Sequence, residues 1–170
     1  MARLSYPDPN NPAIAPVVER IKAERGKVLN LYGMLLHSPP VAEGWLAFLT
    51  AIRQKCQLSG RIRELAIMRI AVINGADYEF RAHTPFALAE GFTQAQIDAL
   101  REGRAEGFDE VERSVLAYTD SMTKEVHVPD AVFKDVRAHF DEREMVELTA
   151  TIGAYNLVSR FLEALQVDHE

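Results

Sequence analysis

Three ionisable residues suited to proton transfer lie close together in the sequence: Glu64, Glu79 and His83. Glu79 and His83 are four residues apart, so they share one face if the segment is helical. A carboxylate beside an imidazole orients the ring and favours its protonated form. A second carboxylate from Glu64 would complete a site suited to general acid–base catalysis.

Two helices must pack against each other to bring these side chains into contact. The strongly apolar run at residues 62–74 predicts the first helix, and Gly75 ends it. The pattern resumes over residues 78–90 and predicts a second helix, which carries the carboxylate–imidazole pair. The break at Gly75 allows the second helix to fold back on the first, so that Glu64 converges with that pair.

The rest of the sequence is divided by similar signals and predicts an all-α fold. Capping-box patterns begin at Thr93, Asp109 and Asp141, and each precedes an apolar periodic stretch. No alternating run typical of a strand is present. We expect about eight helices in a single domain over residues 13–170. A proline-rich arm at residues 1–12 precedes this domain.

A helix start signal follows His37, because Ser38 can cap the chain and Pro39 suits the first helical turn. Apolar residues then recur at offsets of three and four, which predicts a buried face on this helix. The expected members of that face are Trp45, Phe48, Leu49 and Ile52.

Composition and charge exclude several classes of function. The chain has 170 residues, of which 48% are hydrophobic and 26% charged, as in an ordinary soluble globular domain. The formal net charge of −6 leaves no cationic surface for nucleic acid. No apolar run reaches membrane-spanning length, and the start has no apolar signal core, so we expect a cytoplasmic protein. The single cysteine, Cys56, excludes an intrachain disulfide or dithiol centre.

The arrangement of Glu64 and His83 resembles the core of the carboxymuconolactone decarboxylase and alkylhydroperoxidase D-like family. Redox members of that family carry a Glu, then a Cys-x-x-Cys pair, then a His. The resemblance extends to His37-Ser38-Pro39 before Trp45, and to the ending Tyr155-Asn156-Leu157-Val158-Ser159-Arg160-Phe161. It therefore covers nearly the whole chain after the arm. It implies the all-helical, single-domain bundle of that family and assembly as a trimer or hexamer.

The two cysteine positions of the family pattern fall on Ala76 and Glu79. Hydroperoxide reduction in the redox branch uses a thiolate nucleophile and a resolving thiol. Ala76 cannot attack a peroxide, and Glu79 cannot form a disulfide. The sequence therefore resembles the decarboxylase branch, which does without the cysteine pair.

The resemblance implies a lyase that decarboxylates a small carboxylated lactone or related acid without a cofactor. The unsaturated lactone takes up the electrons released with carbon dioxide, so the protein must hold carboxylates, stabilise a dienolate and deliver a proton. His83 is the expected acid–base residue, with Glu64 or Glu79 orienting it or carrying a second proton.

Arginines suit the binding of substrate carboxylates because a guanidinium can bind both oxygens. The candidates are Arg69, Arg81 and Arg160, and His37 and Tyr78 are candidates for lining the substrate site. Each has a structural alternative. Arg69 can form an ion pair within the protein, and Tyr78 can belong to the core. His37 can mark a helix junction, and Arg160 can pair with another helix.

Two carboxylates and one histidine could alternatively bind a divalent ion. The chain has neither the His-Glu-x-x-His spacing of zinc enzymes nor the paired Glu-x-x-His of di-iron bundles, so no metal site is expected. The expected partners are a small carboxylate substrate and further copies of the chain, with no nucleic acid and no membrane. Two other hypotheses stay open. One is a binding or assembly protein that kept the fold without catalysis, and the other is a redox protein of the alkylhydroperoxidase or peroxiredoxin type that uses Cys56.

Overall fold

The computed structural model describes all 170 residues and contains nine α-helices and no strand, which confirms the all-α prediction. The helices are α1 (Ala15–Arg25), α2 (Asn30–Leu35), α3 (Pro39–Gln54), α4 (Gly60–Asn74), α5 (Asp77–Ala89), α6 (Gln94–Arg101), α7 (Glu110–Lys124), α8 (Asp130–Arg137) and α9 (Glu142–Leu165). The chain forms two compact units. The first comprises Met1–Lys55 and Phe161–Glu170, and the second comprises Cys56–Arg160. No helix has the length and apolar character needed to cross a membrane.

In the first unit, the N-terminal arm is attached to the end of the chain. The Arg3 amide donates to the Leu165 carbonyl at 2.9 Å, and Tyr6 hydrogen-bonds Asp168. Helix α1 ends at Gly26, whose φ of +79° is a left-handed value that favours glycine. The break predicted between the first two helices is therefore confirmed.

Of the four residues predicted to form the buried face of α3, three are buried and one is exposed. Trp45 is buried against Phe161, with ring centroids 5.2 Å apart, and Leu49 and Ile52 are buried as predicted. Phe48 is instead 44% exposed, so its predicted burial is wrong. Successive residues of a helix are rotated by about 100° around its axis. Phe48 therefore points just outside the arc that the buried residues from Ala42 to Ile52 cover.

In the second unit, α4 packs against both α5 and α7 and forms the centre of the core. Ser59 caps α4 by accepting a hydrogen bond from the Ile62 amide at 3.3 Å. Gly75 ends α4 with a φ of +66°, and α5 begins two residues later. The turn at Gly75 therefore places α5 beside α4, as the sequence predicts. The three predicted capping boxes, at Thr93, Asp109 and Asp141, all form.

Gly75→Ala should lower the free energy of unfolding by about 1 kcal/mol, because alanine at a left-handed φ meets a steric penalty that glycine avoids. Nothing lies within 4 Å of the position that a Cβ would take, so the loss reports backbone conformation alone. Gly44→Ala is the matched control, because Gly44 is an exposed position inside α3 with the same open surroundings. That variant should be more stable by about 0.5–1 kcal/mol. Urea unfolding of both variants measures the difference, and a change of the same sign in both would contradict the account.

Candidate functional site

The second unit brings the three predicted acid–base residues together. Glu64 projects from α4, whereas Glu79 and His83 lie one helical turn apart on α5. Their exposed fractions are 1%, 4% and 4%, so all three are buried. Burial of three polar groups requires that they satisfy one another or their neighbours, because an unsatisfied ionised group in the core is strongly destabilising.

The two ring nitrogens of His83 face different carboxylates. Nδ1 lies 2.6 Å from Oε2 of Glu64, which is a short, charge-assisted hydrogen-bond distance. Nε2 lies 3.5 Å from Oε2 of Glu79. The Glu64 carboxylate accepts a hydrogen bond from Nδ1–H and so fixes the orientation of the ring. The Nε2 side then remains for proton transfer, with Glu79 beside it.

Two aromatic rings enclose the imidazole. Tyr155 on α9 meets it edge-on, with ring centroids 5.1 Å apart and an interplanar angle of 88°. Phe86 lies 5.7 Å away on α5. Tyr155 is 2% exposed and Phe86 is 47% exposed, so Phe86 covers the imidazole from the solvent side.

The position of Tyr155 next to His83 was not predicted from the sequence. The signal in the sequence was the family-like segment Tyr155–Phe161, which does not say which of its residues faces the imidazole. That direction depends on how α9 packs against α5.

Arg63 also contacts the site and was not predicted. Its Nε lies 3.3 Å from Oε1 of Glu64, the oxygen that His83 does not use. Glu64 therefore lies between a guanidinium and an imidazole, with one oxygen on each. In the sequence, only the adjacency of Arg63 and Glu64 could have indicated this contact. Neighbouring residues on a helix normally point about 100° apart, so adjacency alone does not predict it.

Arg69 is bound to a carboxylate of the protein. Its Nε and Nη2 each lie 2.6 Å from an oxygen of Asp120 on α7, in a bidentate pair. Burial raises the pKa of Asp120, but hydrogen bonds from Arg69 and Lys124 outweigh it and hold that pKa below its usual value. The ion-pair alternative for Arg69 is thus the arrangement present, and a substrate role would require displacement of Asp120.

The other substrate-binding candidates lie in different surroundings. Arg81 pairs with Asp77 at 2.6 Å on the exposed side of α5. Tyr78 is buried, with 6% of its surface exposed. His37 belongs to the first unit, where its Nε2 lies 2.7 Å from the Ser5 carbonyl. Their roles in substrate binding stay predictions.

Arg160 is joined to a buried polar network through Asn156. Its Nη1 donates to Oδ1 of Asn156 at 2.7 Å. The same Asn156 accepts from Asn74 on α4 and donates to Thr123 on α7. Asn156 therefore pairs with neighbouring helices, as the structural alternative predicted, whereas Arg160 bonds to Asn156 one turn away on its own helix and not directly to another helix.

Cys56 is half-buried at the start of the second unit. Burial raises the pKa of its thiol, and the negative charge of Glu147 raises it further. A raised pKa keeps the thiol protonated and weakly nucleophilic near neutral pH.

Known proteins are similar to this chain in sequence and in fold. The model of the carboxymuconolactone decarboxylase family matches residues 39–121, which include Glu64, Glu79 and His83. The uncharacterized protein YdfG of Bacillus subtilis is 28% identical over 106 residues, covering 61% of this chain and 72% of that protein.

Two solved structures have a similar fold. A protein of unknown function from Agrobacterium tumefaciens is 27% identical, with a TM-score of 0.73 over 79% of this chain and 93% of that one. An uncharacterized peroxidase-related protein from Silicibacter sp. TM1040 is 19% identical, with a TM-score of 0.85 over 99% and 92% of the two chains. At 19% identity, the second likeness concerns the fold alone.

Arg69→Gln should lower the free energy of unfolding near neutral pH by about 1–3 kcal/mol, because it leaves a partly buried Asp120 without its bidentate partner. Folding lowers the pKa of Asp120, so the stability from this carboxylate is present near neutral pH. It is lost as the pH falls through the folded-state pKa, which lies below the usual value of about 4.

The difference in free energy of unfolding between wild type and Arg69→Gln should therefore shrink when urea unfolding is repeated at about pH 3. Arg81→Gln is the control, because its pair with Asp77 is exposed and should contribute less than about 1 kcal/mol. An Arg69→Gln variant with wild-type stability at both pH values would show that the pair is not structural.

Proposed function

We propose that this protein is a cofactor-independent lyase, as a member of the carboxymuconolactone decarboxylase and alkylhydroperoxidase D-like family. Its proposed reaction is the decarboxylation of a small carboxylated lactone or a related acid. The observation that carries the proposal is the buried imidazole of His83 between the carboxylates of Glu64 and Glu79. This arrangement suits the transfer of a proton and requires no cofactor.

The residues at the family's two cysteine positions support a non-redox reaction. Ala76 is fully buried at the N-cap of α5 and has no nucleophilic atom. Glu79 occupies the second position and directs its carboxylate toward His83. A reaction through a thiolate and a resolving thiol has no nucleophile at these positions, whereas a proton transfer has two carboxylates and an imidazole.

In the proposed reaction, the bond between the ring carbon and the departing carboxylate breaks. Its electron pair moves through the ring double bond toward the lactone carbonyl and gives a dienolate and carbon dioxide. The dienolate then takes one proton on carbon, so the net change is the replacement of a carboxylate by hydrogen. The lactone itself accepts the electrons, which is why the protein needs to supply only binding, charge stabilisation and a proton.

His83 is the proposed proton donor through Nε2. In the imidazolium form, both ring nitrogens carry a proton, and each faces a carboxylate. After Nε2 gives its proton to a carbon of the dienolate, the hydrogen bond from Nδ1–H to Glu64 persists and holds the neutral ring in place. Glu79 lies beside Nε2 and can return a proton from water before the next cycle.

Among the three candidate arginines, Arg160 is best suited to accept a substrate carboxylate. Arg69 and Arg81 are each engaged with a carboxylate of the protein, so an anionic substrate would have to displace an ion pair. Arg160 contacts the uncharged oxygens of Asn156 instead and is exposed. A carboxylate would bind a guanidinium more strongly than those neutral acceptors do.

Carbon dioxide release from 4-carboxymuconolactone tests the proposal. Wild-type protein should release it, and His83→Ala should be slower by at least about 100-fold, because a positioned acid typically contributes that much or more. His127→Ala is the matched control, because His127 is an exposed histidine. Absence of release by wild type would contradict the substrate class, and equal rates in wild type and a folded His83→Ala variant would contradict the role of His83.

Glu64→Gln should also slow release, by about 10²–10⁴-fold, because an amide cannot stabilise the imidazolium that donates the proton. The side chains have nearly the same shape, so the fold should be retained. The rate constants of this variant and of Glu19→Gln, a change at an exposed carboxylate of α1, give the comparison. A Glu64→Gln effect no larger than that of Glu19→Gln would contradict the assignment of Glu64 as the partner of His83.

A further inference from the structure

A carboxylate outside the acid–base site, that of Glu90, lies against the first turn of α4. Glu90 follows the last residue of α5, and α4 begins at Gly60. A Cβ added at Gly60 would lie 2.1 Å from Oε1 of Glu90, so the carboxylate fills the space that only glycine leaves there. The amide groups at a helix N-terminus favour such a negative charge.

Arg63 connects this outer carboxylate to the buried one. Its Nη2 lies 3.9 Å from Oε1 of Glu90, and its Nε lies 3.3 Å from Oε1 of Glu64. The Arg63 side chain is only 16% exposed, so its charge acts where solvent screens little. Because adjacent helix residues point about 100° apart, the Arg63 side chain must bend toward Glu64 to contact it. Glu90 supplies an anchor for that conformation.

We propose that Arg63 is a positioning residue of the Glu64–His83 pair, held by Glu90 in the space left at Gly60. The guanidinium occupies Oε1 of Glu64, so that Oε2 remains on Nδ1 of His83. This role rests on the proposed acid–base function of that pair. Arg63 does not transfer a proton, because a guanidinium does not deprotonate in proteins.

The charges around His83 give the direction of the effect. Glu64 and Arg63 face it from α4, Glu79 faces it from α5 with Glu90 farther out, and Tyr155 presents a phenol ring from α9. Removal of the positive charge of Arg63 leaves both carboxylates in place, so relative to wild type it should favour the protonated form of the ring.

The test follows the ring nitrogens of His83 through a pH titration by NMR, in protein labelled with ¹⁵N-histidine. Loss of one set of signals in His83→Ala assigns the residue. The titration midpoint should rise in Arg63→Gln, by on the order of one pH unit. It should rise less in Arg63→Lys, which keeps the charge and loses the planar guanidinium. Arg104→Gln is the control for a lost positive charge, because Arg104 pairs with Glu102 away from the site and should leave the midpoint unchanged.

Gly60→Ala gives the most selective variant. It removes no ionisable group and places a Cβ where the Glu90 carboxylate lies, so it should displace that carboxylate and release Arg63. Alanine also favours the helix, so a loss of folding is not expected. The midpoint should move upward in this variant and in Glu90→Gln, in the same direction as in Arg63→Gln.

An unchanged midpoint in a folded Arg63→Gln variant would overturn the proposal. If that variant does not fold, an unchanged midpoint in Gly60→Ala and Glu90→Gln would overturn it instead. A shift in Arg63→Gln without one in Gly60→Ala would overturn the anchoring role of Glu90. These measurements need no substrate, so a wild type that releases no carbon dioxide contradicts the proposed reaction and leaves the titration test in force.

Discussion

The hydrogen bond between Glu64 and His83 joins the two helices at the centre of the second unit. A buried carboxylate and a buried imidazole are each destabilising without a partner, and their contact at 2.6 Å satisfies both. Removal of either partner would leave the other as an uncompensated polar group in the core. The packing of α4 on α5 and the chemistry of the site therefore depend on the same contact. The left-handed turn at Gly75 makes the contact possible, because it returns the chain beside α4.

Much of this arrangement could be predicted from the sequence because it rests on local rules. Glycine at a left-handed turn, capping boxes and helical periodicity act within a few residues, and each is visible in the printed chain. The convergence of Glu64 with the Glu79–His83 pair followed from two helices and one turn. The wrong prediction that Phe48 is buried shows a limit of these local rules, because the neighbouring elements determine where the buried face of a helix ends.

Contacts between distant elements or with unusual side-chain conformations were not predictable. Tyr155 reaches His83 only through the packing of α9, which the periodicity of α9 does not specify. Arg63 contacts its own neighbour, Glu64, because Glu90 from the far end of α5 holds it there. The arginines expected to bind a substrate carboxylate have partners on other helices or one turn away. The sequence is compatible both with such pairing and with substrate binding, and it does not distinguish the two.

The central claim is that a residue of the protein, His83, delivers the proton to the carbon that carbon dioxide release leaves electron-rich. The most direct measurement is decarboxylation of 4-carboxymuconolactone in D₂O, with the position and face of the deuterium in the product read by NMR. A fixed donor predicts a single deuterium on one face of the ring carbon. Deuterium distributed equally over both faces, or no product at all, would contradict the account, because the proton would then come from bulk water or the reaction would not occur.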